Sequence, residues 1–456
     1  MTASSTKPQE FSAEVREHYE ELPYPYCNPE TESKNFYGLD GMSLDAFNHV
    51  GWEGKRDLRK GARILLAGCG TGDMMVNLAE QLVDSDTQIV AIDLSTASLN
   101  IAKARVKKRG LTNVTFHHMS ILDLPKAGLG EFDIIESSGV LHHLPDPNAG
   151  LAALASMLKD DGIMGIMVYA QYGRMAIYMI QDMLRKMIPE GASRPEKIAI
   201  AREFLTLVPH THWMTFNGGM YINDLSWPDG SGIYDLFLHS TDRAYTVPQL
   251  YEWVEGSGLQ LTDMFGPYSN NSLYNPDNYT NSDALRHIFA SKPPRERFAI
   301  AELMHGAINK HYFYAAKMLK KQAQLSDDMV ITFGPMQWLF DKFVPSFLKE
   351  LSKVPVGAQV EGMPRAISDS PLFRMTKTPY SEALLRMLDG KRSIGSMVAA
   401  LMKEDGASIQ TIARDLNIFY HELANAGLVF LRHESIPPYR TGPEMMQRVR
   451  QHVGNI

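Results

Sequence analysis

Short apolar runs alternate with helix-like stretches along the first part of the chain. Between residues 63 and 169 this alternation predicts five strands, separated by polar or glycine-containing turns and by helices. Strands that alternate with helices in this way form parallel sheets that carry helices on both faces. The pattern therefore predicts a doubly wound α/β sheet for this part of the chain.

Two segments flank or interrupt this alternation in its first half. Residues 11–21 have the spacing of a short helix, and Pro23 and Pro25 force the chain that follows to run extended. Residues 171–242 form a long interval between strands and contain a helix at 175–187 that is apolar on all sides. The first segment is read either as a lid over a site or as a strap packed on the core.

The last part of the chain has a different pattern. Three short helices and a terminal strand are expected there, at residues 380–388, 394–403, 409–426 and 428–431. This order predicts a small winged-helix-like module.

The main chemical signal is a glycine loop at the end of the first predicted strand. Gly68, Gly70 and Gly72 follow an apolar run and precede a helix, so the backbone can turn sharply and approach a ligand closely. The second strand ends at Asp93, whose carboxylate can accept hydrogen bonds from both hydroxyls of a ribose. A nicotinamide enzyme would need a longer G-x-G-x-x-G spacing, which these glycines do not supply.

The sequence resembles the class I S-adenosylmethionine-dependent methyltransferases in five motifs that occur in the expected order. They are the glycine loop, the strand end at Asp93, residues 123–125, the Leu-His-His-Leu-Pro segment at 141–145, and residues 158–162 before a strand at 163–169. Residues 258–265 and 311–317 are similar to the last two strands of that family. The resemblance implies a Rossmann-like, doubly wound seven-stranded sheet with an α-helical insertion and S-adenosyl-L-methionine as cofactor.

The resemblance also assigns the cofactor-binding positions. They are Gly68, Cys69, Gly70, Gly72, Asp73, Asp93, Leu94, Ser120, Ile121 and Ser137. One position departs from the family, which commonly has an acidic residue two places before the first glycine, where this chain has Leu66. Asp73 is a candidate to replace that acid towards the cofactor ammonium.

The catalytic residues are not fixed by the sequence. His142, His143 and Tyr24 are the candidates, and the two histidines have side chains suited to accept a proton near neutral pH. A packing role beside the cofactor is the alternative for both, because methyl transfer needs a base only when the acceptor arrives protonated. Four other polar residues are expected to reach the pocket: Tyr172, His212, His239 and Arg243.

Composition narrows the function classes. The 456 residues are 44% hydrophobic and carry a formal net charge of −7, which argues against a nucleic-acid partner. The two cysteines, Cys27 and Cys69, have no metal-site or disulfide-framework spacing, so no metal is expected. No apolar run is long enough to span a membrane and no signal core is present, so a cytoplasmic location is expected.

These observations lead to one division of the chain and two function hypotheses. The division is an N-terminal tail and lid (1–60), core strands one to five (61–171), an insertion that caps the acceptor (172–243), strands six and seven (244–320), and an extension (321–456) with the module at about 370–435. The first hypothesis is methyl transfer to a nitrogen or oxygen of a small-molecule or protein acceptor. The alternative is a non-catalytic interaction protein that presents the C-terminal module to a peptide.

Overall fold

The fold is described by a computed structural model that covers residues 8–32, 42–217, 225–265, 271–361, 374–405 and 408–454. Its strands, in chain order, are β1 (Arg63–Ala67), β2 (Gln88–Asp93), β3 (Val114–His118), β4 (Phe132–Ser138), β5 (Leu158–Ala170), β6 (Ala244–Tyr245), β7 (Gln260–Phe265), β8 (Lys310–Ala316), β9 (Met329–Thr332), β10 (Gln359–Glu361), β11 (Arg374–Thr376) and β12 (Phe430–His433).

The helices connect and cover these strands. In chain order they are α1 (Pro8–Glu21), α2 (Leu44–Gly51), α3 (Asp73–Gln81), α4 (Thr96–Arg109), α5 (Pro147–Met157), α6 (Met175–Met187), α7 (Arg194–Leu205), α8 (Trp213–Asn217), α9 (Val247–Gly256), α10 (Asp283–Ala290), α11 (Pro294–His305), α12 (Gln337–Ser352), α13 (Ser381–Met387), α14 (Ile394–Asp405), α15 (Ile409–Asn425) and α16 (Gly442–Gly454).

The central sheet has the order β3-β2-β1-β4-β5-β8-β7, and the short β6 pairs with the end of β5. Strands β1 to β5 are parallel, whereas β8 runs antiparallel to both β5 and β7. The residues of β1 and β4 are buried on both faces because helices cover both sides of the sheet. The predicted doubly wound Rossmann-like α/β fold is confirmed, with β6 as an addition.

The strand order reverses direction between β1 and β4, which lie side by side although β2 and β3 separate them in the chain. In open α/β sheets a crevice forms at the carboxyl ends of the strands at such a point, because the following helices turn to opposite faces. The glycine loop after β1 and Asp93 at the end of β2 both lie at this edge.

The strand predicted at 163–169 begins earlier in the structure, at Leu158. Its pairing with β4 shifts register between Phe132 and Ile134, so residues 158–162, placed before the strand from the sequence, form an irregular part of it.

The insertion between β5 and β6 has its own small hydrophobic core. It is formed by residues of α6, α7 and α8 together with Ile233, Leu236 and Phe237. A buried ion pair joins its two ends, because Arg174 contacts Asp242 at 2.9 Å. The insertion is thereby held against the carboxyl ends of the sheet strands.

The C-terminal extension also has a separate core, which runs from Ala323 to Leu431. The three expected helices are present as α13, α14 and α15, and β12 follows them. However, β12 pairs with β9, which lies before the helices in the chain. The winged-helix assignment stays a prediction.

The extension is tied to the methyltransferase-like core by buried polar contacts. Arg432 forms an ion pair with Asp45 of α2 at 3.2 Å, and the Leu431 N–H donates to Nδ1 of His49 at 3.0 Å. Helix α16 returns to the sheet domain, where Arg448 contacts the buried carboxylate of Glu80. Among the described residues, no helix is both long and apolar enough to cross a membrane.

Candidate active site

The glycine loop folds back onto the end of β2. The N–H groups of Gly68 and Cys69 donate to the carbonyl oxygen of Ile92 at 2.9 and 3.0 Å. The next glycine, Gly70, donates its N–H to Oδ2 of Asp93 at 2.8 Å. Gly68 and Gly70 have φ values of 81° and 52°, a region in which only glycine is unstrained.

The side chain of Asp93 is held by backbone N–H donors. Besides Gly70, the N–H of Ser95 donates to Oδ1 at 2.8 Å. Burial raises the pKa of Asp93, and the N–H donors of Ser95 and Gly70 oppose this shift. A carboxylate has about four lone-pair directions, so each oxygen of Asp93 retains the capacity to accept a ligand hydroxyl.

One cavity of about 550 Å³ lies over this edge of the sheet. Most of the predicted cofactor residues line it, namely Gly68, Cys69, Gly70, Asp73, Asp93, Leu94, Ser120 and Ile121. Gly72 and Ser137 lie outside this lining: Gly72 precedes α3, and the Ser137 hydroxyl donates to the Ala67 carbonyl at 2.9 Å. Ser120 Oγ accepts the Leu122 N–H at 3.2 Å, so this hydroxyl also supports the local turn.

The N-terminal segment closes one side of the cavity. Tyr19, Tyr24 and Pro25 line it, and the Thr71 hydroxyl donates to the Pro25 carbonyl at 2.8 Å. The carboxylate of Glu20 accepts the N–H of Ala97 at 2.9 Å, at the beginning of α4. Residues on both sides of the glycine loop therefore fix the position of this segment.

The insertion forms the opposite side of the cavity. Arg174, Trp227, Asp235 and Leu236 line it there. Asp235 is only 3% exposed, and it accepts the Tyr19 hydroxyl at 3.0 Å and the Tyr169 hydroxyl at 3.4 Å. Burial raises the pKa of Asp235, while the neighbouring His143 opposes this shift.

The structure separates the two histidine candidates. His143 lines the cavity, and its Nδ1 lies 2.7 Å from the Thr241 carbonyl oxygen. A carbonyl can only accept, so Nδ1 carries a proton, and in the neutral ring the lone pair is on Nε2. His142 does not line the cavity; its ring packs on Tyr169 at a centroid distance of 3.8 Å, and burial lowers its pKa strongly.

A metal ion is one possible occupant of the group formed by His143, Asp235 and His239, whose ligand-type atoms lie within 4.8 Å of one another. The hydrogen bonds argue against this. The Thr241 N–H donates to Nδ1 of His239 at 3.1 Å, which places the proton of that ring on Nε2, where it blocks ligation. The expectation of no metal stays a prediction.

The other residues that were expected to reach the pocket differ in their positions. Tyr24 lines the cavity. His239 does not line the cavity, but its ring stacks on that of His143 with the two centroids 3.9 Å apart. Tyr172, His212 and Arg243 are not among the described residues that line the cavity.

Sequence reasoning missed several lining residues. They are Tyr19, Glu136, Arg174, Trp227 and Asp235. Two of them could have been noticed in the sequence, because Glu136 follows an apolar pair in a predicted strand and Asp235 lies inside an otherwise apolar run at residues 233–238. A buried acidic residue is rare unless it has a partner or a function.

The sheet order and the cavity geometry fit S-adenosylmethionine. Gly70 lets the N-terminal segment lie directly against the loop, and Asp93 stands at the strand end where a ribose is held in such folds. Residues 58–196 also match the protein family described as Methyltransferase domain. This part of the chain therefore matches a methyltransferase domain, and the sheet that contains it has a Rossmann-like methyltransferase fold.

Individual proteins resemble the chain over longer or shorter stretches. An uncharacterized protein from Synechococcus is 33% identical over 275 residues, which is 58% of this chain and 63% of that protein. The ubiquinone biosynthesis O-methyltransferase of Aromatoleum aromaticum is 28% identical over 162 residues, which is 36% of this chain and 61% of that protein. The match thus covers less than two thirds of either relative.

A solved structure resembles nearly the whole fold. PKMT2 from Rickettsia typhi in complex with AdoHcy has a TM-score of 0.61 and 16% sequence identity, and the match covers 91% of this chain and 78% of that one. At this identity the likeness concerns the fold, including regions beyond the sheet domain.

Proposed function

We propose that the chain is an enzyme that transfers a methyl group from S-adenosyl-L-methionine to a hydroxyl oxygen of a small acceptor. The observation that carries this proposal is the single cavity, which has the glycine loop and Asp93 at one side and His143 and Asp235 at the other. A cofactor and an acceptor can therefore meet in one enclosed space.

The cofactor side is built from backbone and one carboxylate. Asp93 holds the ribose hydroxyls, and the amides at the beginning of α3 face the carboxylate of the methionine part. Ser120 and Ile121 lie where the adenine is expected. When bound, the cofactor supplies an electrophilic methyl group on a positively charged sulfur.

On the acceptor side, His143 is the proton acceptor. Its Nε2 takes the proton that the acceptor hydroxyl loses as the oxygen attacks the methyl carbon. The carboxylate of Asp235 stabilises the imidazolium that results. The names of curated relatives such as the ubiquinone biosynthesis O-methyltransferase support an oxygen acceptor over a nitrogen acceptor.

The enclosure favours a small acceptor over a protein side chain. Helix α1 is bound to the insertion through the Tyr19–Asp235 hydrogen bond and through an ion pair between Glu21 and Arg194. These contacts hold the N-terminal segment and the insertion together beside the cavity, which favours an acceptor small enough to fit between them and the sheet.

Transfer of a labelled methyl group tests the proposal. The full chain is incubated with methyl-labelled S-adenosylmethionine and a cell extract, and the products are separated by size. We expect the label in the small-molecule fraction, in a product whose methyl group is on oxygen. Label in the protein fraction would contradict the small acceptor, and absence of S-adenosylhomocysteine binding by calorimetry would favour the non-catalytic interaction protein.

A further inference from the structure

Glu136 is a buried acidic residue in the central strand β4, where it follows the apolar pair Ile134 and Ile135. It is 4% exposed and lies on β4, in the middle of the central sheet. It also lines the cavity, together with Ser138 and Gly139 further along the same strand and loop. The proposed chemistry of ribose binding and proton removal does not use it.

The sheet register places Glu136 directly beside Leu66 on β1. Residues paired in this way on neighbouring strands have side chains on the same face, about 5 Å apart. Both side chains line the cavity, and Leu66 precedes Gly68 by two residues. A carboxylate is therefore present one strand away from the position where the sequence lacks one.

The other carboxylates that line the cavity lie elsewhere and make different contacts. Asp73 is in an ion pair with the buried Arg105 at 2.7 Å, Asp93 is held by Gly70 and Ser95, and Asp235 lies at the insertion. Only Glu136, of the lining carboxylates in the described chain, stands inside the sheet next to Leu66, below the first glycine of the loop. The charge of Glu136 also acts on the glycine loop. The pKa of the Cys69 thiol is raised mainly by burial, next by Asp93 and then by Glu136.

We propose that Glu136 binds the α-ammonium group of S-adenosylmethionine and so takes the place of the acid that Leu66 replaces. The inference rests on the proposed function, because it assumes that the methionine part of the cofactor lies over the glycine loop. A cationic ligand group beside a buried carboxylate stabilises both, since each compensates the other for lost hydration.

Two ligands separate this contact from the rest of the site. S-adenosylhomocysteine has the ammonium group, whereas 5′-methylthioadenosine keeps the adenine, ribose and sulfur but lacks the amino-acid part. Binding of both is measured by calorimetry to the wild-type chain, Glu136→Gln, Glu136→Asp and Glu302→Gln. Glu302 is a matched buried glutamate away from the glycine loop, whose carboxylate accepts the Val247 N–H at 3.0 Å.

We expect Glu136→Gln to bind S-adenosylhomocysteine about tenfold more weakly than the wild type, or worse. Its affinity for 5′-methylthioadenosine should stay within about twofold of the wild-type value. Glu136→Asp should retain most of the affinity for S-adenosylhomocysteine. Glu302→Gln should bind both ligands with wild-type affinity. Equal binding of S-adenosylhomocysteine by wild type and Glu136→Gln would overturn the proposal, and so would a parallel loss of both ligands, which would indicate a structural role. If the wild-type chain binds neither ligand, the proposed function itself fails.

Discussion

The backbone carbonyl oxygen of Tyr24 lies 2.7 Å from the point where a Cβ atom on Gly70 would stand. The N-terminal segment and the glycine loop are therefore in direct contact, with no room for a side chain between them. Glycine at this position serves both the close approach of a ligand and the seating of residues 24 and 25 over the loop.

The first prediction concerns this contact. Gly70→Ala should displace the N-terminal segment and remove the thermal shift that S-adenosylhomocysteine gives the wild-type chain. Gly128→Ala is the matched control, because Gly128 also has a positive φ, of 65°, but a Cβ there meets nothing within 4 Å. The control should keep the shift. A shift of wild-type size in Gly70→Ala would mean that the ligand and the segment do not depend on this loop.

A second prediction separates the neighbouring histidines. His143→Gln should lower the rate of methyl transfer to the acceptor in a small-molecule extract by about a hundredfold or more, because it removes the lone pair of Nε2 from the cavity. Affinity for S-adenosylhomocysteine should stay the same. His142→Phe should keep the transfer rate, because that ring does not line the cavity and packs on Tyr169 and His143. Equal rates in His143→Gln and wild type would exclude His143 as the base.

The third prediction addresses the C-terminal helix. Glu80 is buried, and both of its oxygens accept from Arg448, at 2.6 and 2.7 Å. Arg448→Ala removes a partner of a buried charge and should lower the free energy of unfolding by about 2–3 kcal/mol. Gln447→Ala, at the exposed neighbouring position, should change it by less than about 0.5 kcal/mol. Similar denaturant midpoints for the two variants would indicate that α16 contributes little to the sheet domain.

Removal of the whole extension is expected to lower the free energy of unfolding far more than Arg448→Ala does. A chain that ends near residue 320 would expose His49, Asp45 and Glu80, whose partners Leu431, Arg432 and Arg448 lie beyond that point. We therefore expect the truncated chain to be much less stable, although the extension has its own core.

The fourth prediction is a pH dependence of stability. Burial lowers the pKa of His49 to about 4, below its ordinary value of 6.5. As the pH falls from 6.5 towards 4 the unfolded chain gains a proton that the folded chain does not, so stability is complete above 6.5 and decreases through this window. The contribution of His49 is on the order of 3 kcal/mol.

Comparison with His49→Gln isolates that contribution. Glutamine does not titrate and can still accept the Leu431 N–H that His49 accepts at 3.0 Å. Denaturation midpoints of the variant should therefore decrease less between pH 6.5 and 4 than those of the wild type, while other buried histidines act equally in both chains. Parallel curves would show that His49 is protonated without cost in the folded state.

The sheet could be predicted from the sequence because its strands are continuous apolar runs and its turns contain glycine. Asp93 and the glycine loop were recognisable for the same reason, since adjacent strand ends meet at one edge of a parallel sheet. The start of β5 was missed because Asp160 and Asp161 look like a turn, yet the strand continues through them irregularly.

Contacts between distant segments could not be predicted. Nothing local indicates that Tyr19 meets Asp235, or that Glu136 stands beside Leu66, because both depend on the packing of elements far apart in the chain. The choice between His142 and His143 likewise depends on which ring faces the cavity.

Calorimetry with S-adenosylhomocysteine tests the central claim most directly, on the full chain and on Asp93→Asn. Asparagine keeps one oxygen acceptor for the N–H groups of Gly70 and Ser95 but loses the charge that we expect the ribose hydroxyls to contact. The wild-type chain should bind one S-adenosylhomocysteine, and Asp93→Asn should bind it about tenfold more weakly or worse. Absence of binding by the wild type, or equal affinity in Asp93→Asn, would contradict the assignment of this cavity as a methyltransferase site.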